Sequence, residues 1–353
     1  MSVTDLPAAT TAGAPTGPPE PARPTGRGRR RRRLIGWYVL TVFALVTLNF
    51  FLPRTMPNDP IDALTAASAS GRGGVQIDDA ARAKLAHYYG LDRPLVSQYG
   101  HYLAGLAHGD LGFSIRYNVP VSRLMGDRLK WTALLVATSI AIAATVGMLG
   151  GINSGWRRGR RLDSGLLGFF TCLGSVPPYV IGSFALILLG VKLRWFPLAG
   201  AQTPFVHYGV FPRILDVARH LALPASVMAL QFIFLTFLVM RGGMVSELGS
   251  DYLLVGRAKG IRDRGLKYRY AARNALLPVV TALAVDIGIA ISGSVFVERI
   301  FGYPGLGGLM FSSIDYRDYP TMQGCFLVMS LVVVTVNLVT DLAYPRIDPR
   351  VVR

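Results

Sequence analysis

Six apolar runs, each about as long as a bilayer is thick, constrain this chain more than any other feature. They occupy residues 34–52, 131–152, 166–191, 221–240, 276–297 and 324–343. A hydrocarbon core about 30 Å thick is crossed by about 20 apolar residues of helix. Inside it every backbone N–H and C=O must be bonded within the segment, so runs of this kind form helices rather than an open sheet. The expected fold is therefore all-α: a polytopic membrane protein with six transmembrane helices. Composition agrees, with 51% of the 353 residues hydrophobic, 16% charged and a mean hydropathy of +0.40, which is unlike a globular enzyme.

The formal net charge is +17. In a soluble protein that excess points to nucleic acid. Here the basic residues gather at the ends of apolar runs, where retention of Lys and Arg on the cytoplasmic side accounts for them, and no nucleic acid partner is expected. The GWRRGRR stretch at 155–161 and the basic stretch at 250–280 are thus placed inside, with both termini cytoplasmic in a bacterial cell membrane. Residues 1–33, rich in Pro, Ala, Thr and Gly and ending in arginines, read as a disordered basic cytoplasmic tail. The tail and the run at 34–52 together have the outline of a signal peptide. The run is too long for one, however, and NFFLP at 49–53 has no small-residue cleavage site, so it reads as an uncleaved first span. Residues 53–130 form an exported helical region, with helix-like spacing over 77–89 and 94–108 and a break between them at GLDRP. The third run is interrupted by Pro177 and Pro178, which kink a span and free backbone carbonyls. Cys172 and Cys325 both lie in apolar runs and read as small core residues rather than a disulfide.

Between the fourth and fifth runs lies the segment that carries function. Arg257, Lys259, Arg262, Arg264, Lys267, Arg269 and Arg273 crowd into it against Asp251 and Asp263. Tyr252, Leu253 and Leu254 come first, the charges follow, and Gly260 is placed to end a helix. A short helix with an apolar and a basic side, held below the membrane, is suited to docking on a partner.

DYLLVGRAKG at 251–260 followed by RNALLP at 273–278 resembles the EAA loop of binding-protein-dependent ABC importer permeases, and more narrowly the oligopeptide/dipeptide branch of first-permease type. GLDRPL at 90–95, Gln98 and Tyr99, GDLGFS at 109–114, ERIFGYPGLG at 298–307, RDYP at 317–320 and DLAYPRIDPR at 341–350 are similar to further signatures of that branch. The likeness runs from about residue 34 to the end. Two features depart from it: Val255 and Gly256 stand where small or polar residues are usual, and the arginine-rich tail lies outside the family pattern.

The resemblance implies a type I ABC importer permease fold with an extracytoplasmic helical insertion after the first helix. Its core is 131–345, with the EAA coupling loop at 241–275 and a cytoplasmic C-terminus at 346–353. It implies a second homologous permease, two cytoplasmic ATPase subunits and an extracytoplasmic substrate-binding lipoprotein. The solute is a peptide or, in other members of the branch, a nickel chelate, glutathione, an opine or an oligosaccharide. The expected coupling residues are Asp251, Tyr252, Leu254, Arg257, Ala258, Lys259 and Gly260. A membrane scaffold or receptor without transport is the competing class, and a solvated loop bearing only positive-inside charge is the competing reading of 250–280.

No phosphate-cradling GxxxxGK[ST] pattern is present, so the chain is not expected to be an enzyme; ATP and Mg belong to the partner ATPases. No zinc pattern or nucleophile–base arrangement stands out, and His87, His101, His108, His207 and His220 fall in expected outer segments without ligand spacing, so no metal or cofactor is assigned. Asp286 falls near the middle of the fifth run, sharing a helical face with Ala282, Ala290 and Gly293. A carboxylate at that depth is costly unless it faces a cavity or a partner. It reads either as lining the substrate path and attracting a cationic group, or as a bonded or protonated acid within the bundle. Pro177, Pro178 and Tyr179 at the kink are further path candidates.

Overall fold

The computed structural model describes residues 26–51, 94–206, 208–316 and 318–347. Most of the tail, the expected helix at 77–89, His87, His207 and the last six residues lie outside them. The described helices are α1 (Gly26–Phe51), α2 (Leu95–Ala107), α3 (Val121–Trp156), α4 (Arg161–Gly174), α5 (Pro178–Lys192), α6 (Val210–Glu247), α7 (Asp251–Ala258), α8 (Asp263–Ile300), α9 (Leu306–Asp315) and α10 (Tyr319–Ile347). Among the described residues there is no strand, and one isolated bridge joins Phe113 and Pro120.

The centre of the bundle is the α3–α6 pair. Gly147, Gly151 and Gly155, spaced every four residues, meet Thr236, Met240 and Met244 in turn. A Cβ on Gly151 would stand 2.7 Å from Met240 Cβ and 2.8 Å from the Phe237 carbonyl, and one on Gly155 2.5 Å from Met244 Cβ. Between apolar helices in lipid, stability comes from such close backbone approach, which small residues permit. Both series ascend together, so α3 and α6 run parallel. Their C-terminal ends then lie on the same side, and the chain between them must return across the membrane. That segment is α4 and α5, bent by 91° at a break that includes Pro177. The pair therefore makes the third crossing, and the six expected spans are all present. α8 runs antiparallel beside α6, with Gly243 against Ala275, and α10 packs on α8 where Gly288 meets Asn337. α1 stays peripheral, joined to α10 by a 3.0 Å bond between the Tyr38 and Thr335 hydroxyls, with Trp37, Leu40 and Phe43 left exposed.

The helices outrun the apolar stretches. At 36 residues α3 is about 54 Å long, well beyond the hydrocarbon core. The helices run across the expected boundaries in three places. Residues 121–130 are helical and continuous with α3. Residues 26–33, expected in the tail, are the first turns of α1. The coupling loop expected over 241–275 is mostly helix: 241–247 ends α6, 263–275 begins α8, and only 248–250 and 259–262 connect the helices. Of the two cysteines expected in the core, Cys325 is buried but Cys172 is exposed on the short α4.

Two buried carboxylates organise the end of the bundle away from α7. Glu298 is fully buried on α8. It accepts from Thr132 Oγ1 (2.8 Å), Ser294 Oγ (3.2 Å) and the Gly308 N–H (3.1 Å). A Cβ on Gly305 would stand 2.2 Å from its Cδ, which explains the glycine. Asp318 accepts from Ser114 Oγ (2.5 Å), Thr321 Oγ1 (2.8 Å) and the Ile115 N–H (3.3 Å), tying the segment after α2 to α10.

Candidate functional site

α7 is an eight-residue helix, too short to be stable alone in water. Its form is set by its ends and by what lies behind it. Ser250 enters in an extended conformation and its carbonyl accepts the Leu253 N–H at 3.0 Å. Asp251 stands in the first turn and Arg257 in the last, each the sign the helix dipole favours there. The helix stops at Gly260, whose φ of +74° is a left-handed conformation that costs a glycine nothing. The Gly260 N–H reaches Arg257 O (2.9 Å) and the Ile261 N–H reaches Gly256 O (3.1 Å). That is the paired bonding of a Schellman ending, so the expected role of Gly260 is observed.

Leu253 and Gly256, three residues apart, face inward. Leu253 is 1% exposed and packs in a cluster with Leu266, Met240 and Met244. A Cβ on Gly256 would stand 2.5 Å from Leu266 Cδ2, so the position that looked degenerate in the sequence is a contact point. Tyr252 is half-buried: its hydroxyl donates to Glu247 at the end of α6, and Asn274 on α8 donates to the same carboxylate at 3.5 Å. Burial, and then the bond to Glu247, push the Tyr252 phenol above its ordinary 10.0.

The opposite face is open. Leu254 is 61% exposed and Val255 52%, with Asp251, Arg257, Ala258, Lys259 and Gly260 exposed beside them. Six of the seven expected coupling residues thus share one accessible surface, and Tyr252 is turned back into the protein. Val255, not among the expected residues, is exposed on the same side. The inward residues Leu253, Gly256, Leu266 and Glu247 are not among them either. The three-residue spacing of Leu253 and Gly256, out of phase with Leu254, is the signal for them.

The platform behind α7 is braced. Arg241 of α6 donates to Asp163 of α4 through Nε (2.7 Å) and an Nη (2.8 Å), and Ser154 Oγ (2.5 Å) and the Gly159 N–H (2.9 Å) complete the carboxylate's partners. Two-point pairing of this kind sets orientation as well as distance. Lys267, nearly buried, donates to Asn153 and joins α8 to α3. α7 thus sits against the ends of α6 and α8, and these are bound to α3 and α4.

The path candidates divide. Tyr179 and Pro177 are exposed and Pro178 half-buried at the α4–α5 bend. Asp286 is 2% exposed and Ala290 fully buried, so the face they share is used for packing α8 into its own bundle. Gly293 alone on that face has open space where a Cβ would be and Ala282 is half-buried. Small residues let helices approach closely, as at Ala290, while Gly293 and Ala282 leave part of this face open. Asp286 Oδ2 has no hydrogen-bond partner among the described residues.

The family described as "Binding-protein-dependent transport system inner membrane component" matches residues 134–353. Over 322 residues the chain is 39% identical to a Brucella suis protein named as a peptide permease, covering 91% of this chain and 97% of that one. It is 33% identical over 323 residues to the oligopeptide transport system permease protein AppB of Bacillus subtilis, covering 91% and 98%. It is 30% identical over 336 residues to the dipeptide transport system permease protein DppB of Escherichia coli K12, covering 90% and 97%.

Proposed function

The chain belongs to the family of binding-protein-dependent transport system inner membrane components and is a multi-pass permease component of an ABC importer, and on that premise we propose that it carries peptides by alternating access. It works as one of two homologous permeases that form the path between them. Two cytoplasmic ATPase subunits bind ATP and Mg and supply the motion, and an extracytoplasmic binding protein delivers the solute. Both termini face the cytoplasm. The relatives' names support the peptide reading, since they are given as peptide, oligopeptide and dipeptide permeases. Nickel chelates, glutathione, opines and oligosaccharides are the alternative solutes.

The observation that carries the coupling reading is the two-sided character of α7. An open face of Leu254, Val255, Arg257 and Lys259 is backed by a face seated on α6 and α8. A helix held this firmly passes a push on its outer face to the spans as rigid-body movement, which alternating access requires. A solvated loop kept only for its charge has no need of a buried anchor, and a scaffold without transport has no need of a braced platform.

The test is site-directed crosslinking. A Leu254→Cys or Arg257→Cys chain, in membranes with its co-expressed subunits, is expected to crosslink to a nucleotide-hydrolysing subunit, with a yield that changes on adding ATP. Crosslinks to no such subunit from either position would remove the coupling reading. Uptake of a labelled dipeptide that depends on this chain tests the solute; uptake of a nickel chelate instead would select the alternative.

A further inference from the structure

A groove of about 830 Å³ opens beside the coupling segment, between α3 and the start of α8. Leu149, Ile261 and Tyr268 form its apolar surface, and Arg262, Arg264 and Arg269 rim it. All three arginines are exposed, and none makes an ion pair among the described residues. At the same end of the molecule Arg241 is paired with Asp163 and Lys267 is bonded to Asn153. The groove also lies against residues Leu266–Ala271, where the α8 helix is wound as a π-helix, a distortion often retained for function.

Depth decides what the groove accepts. Leu149 is seven residues before the end of α3 at Trp156, about 10 Å up the helix axis. It is 49% exposed, on a helix that crosses the bilayer. The Lys267–Asn153 bond holds the beginning of α8 alongside that level. One end of the groove is therefore at acyl-chain depth and the other at the polar surface. An occupant must be apolar at one end and anionic at the other.

We infer that this groove binds an anionic phospholipid, with an acyl chain over Leu149 and Tyr268 and its phosphate among Arg262, Arg264 and Arg269. The arginines supply forked donors for phosphate oxygens, and basic clusters at the membrane surface attract anionic headgroups. A bound lipid would brace the link between α7 and the fifth span. This goes beyond the transport reading and does not depend on it, since it requires only that α3 spans the membrane.

The probe is a phosphatidylglycerol carrying a photoactivatable group on its acyl chain, incorporated in nanodiscs with the full-length chain in the assembly it purifies with. Labelling is expected on peptides that contain Leu149 and residues 261–269. It should fall about fivefold for each arginine removed in an R262Q/R264Q/R269Q series. The matched Lys substitutions should retain it within about twofold, because the charge remains. Equal labelling by the phosphatidylcholine analogue, or labelling unchanged in the triple Gln variant, would overturn the site. So would equal loss in the Gln and Lys series, which would indicate altered packing. Labelling seen only when the partner subunits are stripped away would assign the groove to a protein instead of a lipid.

Discussion

Leu253 and Leu254 are adjacent leucines on one short helix, and the structure requires them to behave oppositely. Leu253 is 1% exposed and packs among Met240, Met244 and Leu266; Leu254 is 61% exposed and touches the solvent side. Truncating a buried leucine to alanine costs about 2–5 kcal/mol. α7 has too little intrinsic stability to absorb such a loss, since a helix of eight residues is unstable without its packing. The cost therefore falls on the docking of α7 rather than on the whole bundle. At tenfold per 1.4 kcal/mol it raises the open fraction of the helix by about 30-fold to about 4,000-fold. Amide hydrogen exchange over residues 251–260 in the reconstituted transporter reads this directly. Leu253→Ala is expected to accelerate exchange there and to leave ATP hydrolysis running without solute uptake. Leu254→Ala is expected to leave exchange unchanged while weakening contact with the ATPase. Unchanged exchange in Leu253→Ala would refute the inference that packing on α6 and α8 holds α7. Equal acceleration in Leu254→Ala would refute the assignment of its two faces.

Four further outcomes follow from named contacts. Gly151→Val places a side chain into the Met240 Cβ, the Phe237 carbonyl and the Arg241 amide, all within 3 Å. Overpacking against backbone costs about 1–3 kcal/mol or more, and the yield of folded protein in detergent should fall sharply. Asp163→Asn leaves Arg241 without its charged partner, a loss of about 3–5 kcal/mol for a pair this enclosed, less what solvent at the partly exposed guanidinium returns; thermal unfolding should show it. Tyr252→Phe removes the link to Glu247 and should cost about 1 kcal/mol of α7 docking, read by exchange over 251–260. Because the phenol is raised above 10.0 in the folded protein, its contribution is complete below that pH and is lost as pH rises through the folded value, so wild-type α7 should loosen in strong alkali and Tyr252→Phe should lack that step. Asp286→Asn should change uptake of cationic and anionic peptides equally, since the side chain is enclosed by its own bundle; selective loss of cationic peptides would restore it to the path.

Much of the architecture was legible because a bilayer restricts what apolar runs can do. Span number, the break at Pro177 and Pro178, and the helix ending at Gly260 all follow from local rules of hydropathy, proline and glycine. Helix lengths did not, because a helix ends where its capping and packing end. Arg123, Asp127 and Lys130 continue α3 beyond its apolar run, although hydropathy places the start of the span at 131. Asp286 shows the same limit from within a span. Its small neighbours identify a packed face, but the sequence does not say whether that face meets a channel or another helix.

The sequence by itself determined that this chain is a membrane-spanning helical bundle with a short basic segment between two of its spans, because burial of apolar runs and satisfaction of backbone bonds in lipid leave no other arrangement for the spans. Only the tertiary structure decided which face of that helix is free. Leu253, Leu254, Val255 and Gly256 are separated by rotation about a short axis, and their roles depend on where Leu266, Met240 and Glu247 lie. Those partners come from distant points of the chain, brought together by the parallel glycine seam of α3 and α6 and the antiparallel run of α8 beside them.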